Sequence, residues 1–183
     1  MHLPCTNGFL DPVYMAVPPP ISVLLPVRDG AEHISEAIVS IEARTFAEYE
    51  VIAVDDGPGD DSWILLQEWA DRDERVKVFK QSPQGIVPAL EHARREAAGP
   101  YLARMDADDV SESARFELQL ELMESDSSLA MCGCAIEYFP IEQVQDGALR
   151  YQSWLNAPVT PDEIEKEIFV ECPLPHPGFF MRS

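Results

Sequence analysis

Apolar positions along the chain alternate between two spacings. Ile21-Ser22-Val23-Leu24-Leu25-Pro26-Val27 is a short aliphatic run of the kind expected in a strand buried on both faces. Arg28-Asp29-Gly30 is a turn, after which Ile34, Ala37, Ile38 and Ile41 recur at helical spacing within 31–43. Residues 50–54 form a second strand pattern that ends in Asp55-Asp56-Gly57-Pro58-Gly59. Asp60-Asp61-Ser62 can then cap a helix bearing Trp63, Leu65, Leu66 and Trp69. A third strand is expected at 75–79, a loop at Pro83-Gln84-Gly85 and a helix at 86–98 that Gly99-Pro100 terminates. Residues 101–105 make a fourth strand, and Ser111 is expected to cap a helix with Phe116, Leu118, Leu120, Leu122 and Met123 as its apolar positions. Residues 129–139 are again β-like. Beyond Pro140 the pattern loosens: 141–161 is expected to be irregular, 162–169 a short acidic helix, and Phe179-Phe180-Met181 a last apolar run.

Strand–helix alternation this regular predicts an α/β fold, an open and mostly parallel sheet with helices on both faces. In such sheets ligands bind outside the carboxyl ends of the strands. The three turns at Val27-Arg28-Asp29, Asp55-Asp56-Gly57 and Asp106-Ala107-Asp108-Asp109 all fall there. Residues 1–20 have no clear period and close on Pro18-Pro19-Pro20, which predicts a poorly ordered leader ahead of an α/β unit at 21–140.

Of the 183 residues, 33 are acidic and 13 basic, a net charge of -20. That balance disfavours nucleic acid or anionic lipid as a partner unless a basic patch forms locally, and Arg94-Arg95 on an expected helix is the nearest candidate. Cys132-Gly133-Cys134 lacks the two-residue spacing of a zinc knuckle, so both thiols are expected to be small buried strand residues facing one side. No basic start with a continuous apolar core opens the chain, and no apolar run reaches spanning length. A cytoplasmic location is expected, extending to a peripheral place at the inner face of the membrane.

The chemistry lies in the acids at the strand ends. Asp106, Asp108 and Asp109 follow the apolar Tyr101-Leu102-Ala103, and carboxylates that close repel unless water or a cation sits among them. A hard divalent ion held by one or two carboxylates keeps positions open for phosphate oxygens. Asp55-Asp56 supplies a second acidic group on a neighbouring strand. No G-x-G-x-x-G follows the first strand and no G-x-x-x-x-G-K-[ST] occurs, which disfavours a dinucleotide oxidoreductase and a P-loop ATPase. His33 and His92 are expected at the surface of helices, His176 as a structural or exposed side chain, and Trp63 and Trp69 as packing residues.

Taken in order, Ser22-Val23-Leu24-Leu25-Pro26-Val27, Val51-Ile52-Ala53-Val54-Asp55-Asp56-Gly57 and Met105-Asp106-Ala107-Asp108-Asp109 resemble the signature of the family 2 glycosyltransferases. The segment from Gly85 to Ala98, followed by Gly99-Pro100-Tyr101, is similar to the family's helix before the acidic strand, so the resemblance spans about 21–139. It implies the GT-A fold, a Rossmann-like nucleotide-diphospho-sugar transferase fold, and transfer of a sugar with inversion to the hydroxyl of a saccharide or other acceptor. Pro26 and Val27 match the strand end that passes the nucleobase, with Asp29 as a further donor-pocket residue. Asp56 matches the acid that accepts a hydrogen bond from a uracil-type base, which favours a UDP-sugar. Asp106 and Asp108 match the D-x-D. Asp108 is implied as the ligand of Mn²⁺ or Mg²⁺, with Asp106 near the ribose and sugar and as an alternative ligand. Asp109 is expected to support them from behind.

The sequence also departs from the family. Arg28-Asp29 stands where relatives often carry an aromatic residue and Asn, and Gly57-Pro58-Gly59-Asp60 replaces Gly-Ser-Thr-Asp. The family's general base, an acid in a Glu-Asp or similar pair downstream of the D-x-D, has no counterpart after Phe139. Glu163, Glu167 and Glu171 are the acids considered for that role, and none is assigned it. Pro175-His176-Pro177 resembles a segment that precedes the base in some relatives. Residues 141–183 are therefore expected to be the start of a truncated acceptor-side region, with Trp154 as a conceivable acceptor contact. The alternatives carried forward are an incomplete, non-catalytic nucleotide-sugar-binding fragment and a metal-dependent nucleotidyltransferase, for which Arg28 is the single cation in place.

Overall fold

The computed structural model describes residues 18–57 and 59–183; the expected leader lies outside them except for its last three prolines, as does Pro58. In chain order the elements are β1 (Ile21–Val27), α1 (Ile34–Glu42), β2 (Tyr49–Asp55), α2 (Ser62–Arg72), β3 (Val76–Lys80), α3 (Ile86–Glu96), β4 (Tyr101–Arg104), α4 (Arg115–Ser125), β5 (Met131–Cys132), α5 (Asp146–Leu155), α6 (Pro161–Glu167) and β6 (Phe180–Arg182). The strands form one sheet in the order β3-β2-β1-β4-β6-β5. Strands β1 to β4 are mutually parallel, and β6 runs antiparallel to both β4 and β5.

The uninterrupted apolar character of β1 and β2 follows from burial on both sides, since every residue of each is buried. Alternate residues face opposite ways. Val23, Leu25 and Val27 pack with Ile34, Ala37 and Ile41 of α1, Leu66 and Trp69 of α2, and Phe116, Leu120 and Met123 of α4. On the other face Leu24, Ile52, Val54 and Leu102 pack against Ala89 and Ala93 of α3. The chain winds from β1 through β2 to β3, then returns to the far side of β1 with β4. The connections thus diverge between β1 and β4, and a crevice opens at their carboxyl ends.

Three elements differ from expectation. Ser111 does not cap α4, which starts after Ala114; its N–H donates to Ser40 Oγ at 3.2 Å and its Oγ accepts from Arg115 Nη1 at 3.5 Å. With that start Phe116, Leu120 and Met123 share the buried face, while Leu118 and Leu122 turn outward, 61% and 47% exposed. The β-like stretch at 129–139 shrinks to Met131–Cys132, and only Cys132 of the two paired thiols is buried. Beyond it the extended backbone is held by side chains of α5: Asn156 accepts from the Ile136 N–H at 2.9 Å and donates to its carbonyl at 2.7 Å, and Gln152 accepts from the Tyr138 N–H at 2.7 Å. Helix α5 itself occupies ground expected to be irregular. Its sole buried residue is Leu155, and the side chains of Gln152 and Asn156 tie it to the extended backbone. Among the described residues no helix is long and apolar enough to cross a membrane.

A buried polar knot ties the sheet to the end of α3. Glu50, 4% exposed on β2, accepts from Ser22 Oγ at 2.6 Å, the Ala98 N–H at 2.7 Å and Lys77 Nζ at 2.7 Å. Ser22 Oγ in turn accepts from the Gly99 N–H at 2.9 Å. Arg94 and Arg95, the one basic pair of the sequence, both bind Glu91 on the same helix and make no basic patch.

Candidate functional site

A cavity of about 310 Å³ sits at the divergence of β1 and β4. Its wall is built by Pro26, Val27, Arg28, Asp29 and Gly30 from the exit of β1, Asp56 from β2, Gly85, Ile86 and Ala89 from the start of α3, His33, and Asp106, Ala107 and Asp108 from the exit of β4. The structure thus brings Pro26, Val27, Asp29, Asp56, Asp106 and Asp108 to one crevice, as the strand-end rule requires. His33 belongs to this wall as well and is not merely a surface residue of its helix.

Asp56 is the most constrained of these side chains. It is 2% exposed, and its carboxylate accepts from Gln81 Nε2 at 2.8 Å, the Gln84 N–H at 2.8 Å and the Gly85 N–H at 2.7 Å. Burial pushes its carboxyl up, but these hydrogen bonds and the Arg28 guanidinium at 3.8 Å outweigh that effect and hold it below the usual range. It is therefore an anion at neutral pH. Oδ1 takes two of the three bonds and Oδ2 one. A carboxylate has about four acceptor positions, so Oδ2 retains one.

The turn around Asp56 depends on two glycines. Gly57 has φ of 118°, and a Cβ there would overlap the Pro83 ring that begins the loop donating to Asp56. A Cβ on Gly59 would collide with the carboxylate of Asp29, itself held at φ of 49°. We expect Gly57→Ala to destabilise the fold by about 1–3 kcal/mol, measured by urea unfolding. An unchanged midpoint would mean that the loop gives way freely.

The two acids of the β4 turn are not equivalent. Asp106 is paired in bidentate fashion to Arg104, Nε to Oδ1 and Nη2 to Oδ2 at 3.0 Å each. Asp108 is exposed on the cavity wall and enters no hydrogen bond or ion pair among the described residues. Asp109 lies behind them. Burial, with the neighbouring charges of Asp106 and Asp108, pushes its carboxyl up to about 6, against an opposing pull from Arg115 and Arg104.

The sequence did not point to Arg104, Gln81, Gln84 or Arg115. Arg104 carried a signal, since it stands two residues before Asp106 at the end of an apolar strand, where positions two apart face one way. Arg115, 8% exposed, donates from Nη2 to the Arg104 carbonyl at 2.8 Å and from Nε to Gln119 at 3.0 Å. Gln119 Nε2 reaches the Gly178 carbonyl at 2.9 Å, and the Arg104 N–H donates to the Phe179 carbonyl at 2.9 Å. This network pins the turn at His176–Gly178 to the end of β4. His176 is exposed with its ring 5.1 Å from that of Phe179, and it is not part of the cavity wall.

The downstream acids are engaged elsewhere. Glu163 closes a capping box with Thr160, Glu167 accepts from Trp154 Nε1 at 3.2 Å, and Glu171 accepts from Tyr151 Oη at 2.7 Å. None of the three lines the cavity. His92 is half-buried, its Nδ1 3.0 Å from Gln81 Oε1 and its ring beside Phe79, so it supports the Asp56 loop and is not a free surface side chain.

The family model for glycosyl transferase family 2 matches residues 22–183, which takes in every strand from Ser22 onward and the whole cavity wall. The chain belongs to glycosyl transferase family 2. The bifunctional glycosyltransferase pgtA of Dictyostelium discoideum is 34% identical over 137 residues, 66% of this chain and 18% of that protein. Among solved structures, TarS of S. aureus in complex with UDP-GlcNAc superposes with a TM-score of 0.61 at 18% identity, over 69% of this chain and 37% of that one. The mannosyltransferase PcManGT of Pyrobaculum calidifontis, in complex with GDP-Man and Mn²⁺, does so with a TM-score of 0.60 at 20% identity, over 67% of this chain and 37% of that one. These structures share the GT-A fold. The chain therefore spans well under half the length of each of these relatives.

Proposed function

We propose that this chain binds a nucleotide-diphospho-sugar, with UDP-sugars favoured, and transfers its sugar with inversion to the hydroxyl of a saccharide or other acceptor. The observation that supports this most is the convergence of Asp56 and Asp108, from the exits of β2 and β4, on a single cavity at the switch point of the sheet. The strand exits would divide the donor between them. Pro26, Val27, Asp29 and Asp56 would hold the nucleoside, and Asp106 would orient the ribose and sugar. Asp108 would face the diphosphate.

The side chains present fit a hard divalent cation bound by one carboxylate. Among the described residues Asp108 has no partner, Asp106 is paired with Arg104, and no three His, Cys, Asp or Glu side chains converge into a protein cage. Such a donor set leaves most of the coordination shell to water and phosphate oxygens, the usual manner of Mg²⁺ and of Mn²⁺ in nucleotide sites. When bound, the ion supplies charge neutralisation to the departing diphosphate. The chain's own part is positional: Asp108 fixes the diphosphate end, the bidentate pair with Arg104 aims Asp106, and Asp56 fixes the base end. In-line attack by an acceptor hydroxyl from the open side then forms the new glycosidic bond as the bond to the nucleoside diphosphate breaks, and the hydroxyl proton passes to a general base that is not among these residues.

Titration calorimetry with UDP, with and without Mn²⁺, tests the donor site directly. We expect Mn²⁺-dependent binding of UDP. Absence of binding to both UDP and GDP in the presence of Mn²⁺ would sink the reading. Release of UDP from UDP-sugars on addition of saccharide acceptors then tests transfer.

A further inference from the structure

Arg28 is the one Lys or Arg side chain among the described residues that lines the cavity. It is more than half exposed, and its guanidinium is 3.8 Å from both Asp29 and Asp56, too far to hydrogen-bond either. Its five N–H donors therefore hydrogen-bond to none of the described residues. Its position within the cavity is informative. Nη1 faces Asp56 Oδ2, the oxygen with one acceptor position left, and so lies at the opposite strand exit from the free carboxylate of Asp108.

We infer that Arg28 is a specificity-determining residue that donates to a nucleobase carbonyl beside the N–H taken by Asp56, and that together they select uracil over guanine and cytosine. This rests on the donor-site reading above. The selection follows from the count of free groups. Uracil offers an imide N–H between two carbonyls, which matches one acceptor on Asp56 flanked by donors on Arg28. Guanine offers two adjacent N–H donors and would need both oxygens of Asp56, but Oδ1 is filled by Gln81 and Gln84. One guanine donor would be left unpaired. Cytosine presents a ring-nitrogen lone pair where uracil has its N–H, and that lone pair would face the carboxylate. Each mismatch is worth about 10- to 100-fold in affinity.

The test is calorimetry of wild type and Arg28→Ala with UDP, GDP and CDP, each with Mn²⁺. Arg28 is exposed at a strand exit, so its removal leaves the core intact. Wild type is expected to bind UDP about 10- to 100-fold tighter than GDP or CDP. Arg28→Ala should lose about tenfold for UDP and much less for GDP, so that the preference narrows. Equal losses for UDP and GDP would leave Arg28 no part in choosing the base and overturn the inference while leaving the donor site standing. Unchanged UDP affinity in the variant, or a wild type that binds GDP as well as UDP, would also overturn it. Failure of wild type to bind any of the three would instead sink the donor-site reading itself.

Discussion

Asp108→Ala is expected to lower the Mn²⁺-dependent affinity for UDP by about 100-fold or more while leaving the folded protein as stable as before. The asymmetry comes from the surroundings of Asp108. Its carboxylate is exposed and takes part in no hydrogen bond or ion pair among the described residues, so truncation leaves no buried group without a partner. Asp106→Ala should behave differently. It strands the Arg104 guanidinium, whose side chain is 13% exposed, and is expected to cost about 1–3 kcal/mol of stability as well as affinity. Calorimetry with UDP and Mn²⁺, read beside urea unfolding for both variants, separates the two roles. An Asp108→Ala protein that binds UDP and Mn²⁺ like wild type would remove the metal ligand from the proposal. An Asp106→Ala protein with an unchanged unfolding midpoint would show that the bidentate pair contributes nothing to the fold.

The largest stability effect is expected at Glu50. Its carboxylate sits at 4% exposure with three donors, and Glu50→Ala leaves Ser22, the Ala98 N–H and Lys77 without their acceptor. We expect a loss of about 2–4 kcal/mol in urea unfolding, since removal of one partner of a buried charged pair is costly and Lys77 remains partly solvated. The pH dependence follows from the same contacts. Burial raises the carboxyl of Glu50, but the hydrogen bonds from Lys77, Ser22 and Ala98 and the Lys77 charge outweigh burial, so the folded value lies below the unfolded one. The stabilisation is therefore complete above the ordinary glutamate range and is lost as pH falls below it. Glu50→Gln should flatten the acid side of the stability profile. A Glu50→Gln profile parallel to that of wild type between pH 5 and pH 3 would exclude Glu50 as a source of the acid sensitivity.

The parts of this chain that were legible in its sequence are those where one physical cause dominates. β1 and β2 are apolar without interruption because both faces of the sheet are covered, and acids at strand exits stand out against such runs. Position and chemistry therefore gave the groups Asp55-Asp56 and Asp106-Asp108-Asp109, and the family resemblance singled out Asp56, Asp106 and Asp108 within them. What stayed hidden depends on polar contacts between distant segments. Gln81, Gln84 and Gly85 are unremarkable residues of a loop until β3 brings them under Asp56. Helix α5 buries one residue fully and is held by the amides of Gln152 and Asn156, contacts that depend on the distant stretch at Ile136 and Tyr138. Ser111 has the right chemistry for a cap, but Ser40 and Arg115 engage it first, and the helix starts later.

The side-chain clamp of Gln152 and Asn156 has a further consequence. β5 is an edge strand, and the extended chain after it presents the alternate N–H groups of Ile136 and Tyr138 in the manner of an open ladder. The amides of α5 occupy those groups and the carbonyl between them. On the side that faces α5, a neighbouring molecule thus finds these three groups already taken. The same two residues that anchor a poorly buried helix also close these positions to pairing with another strand.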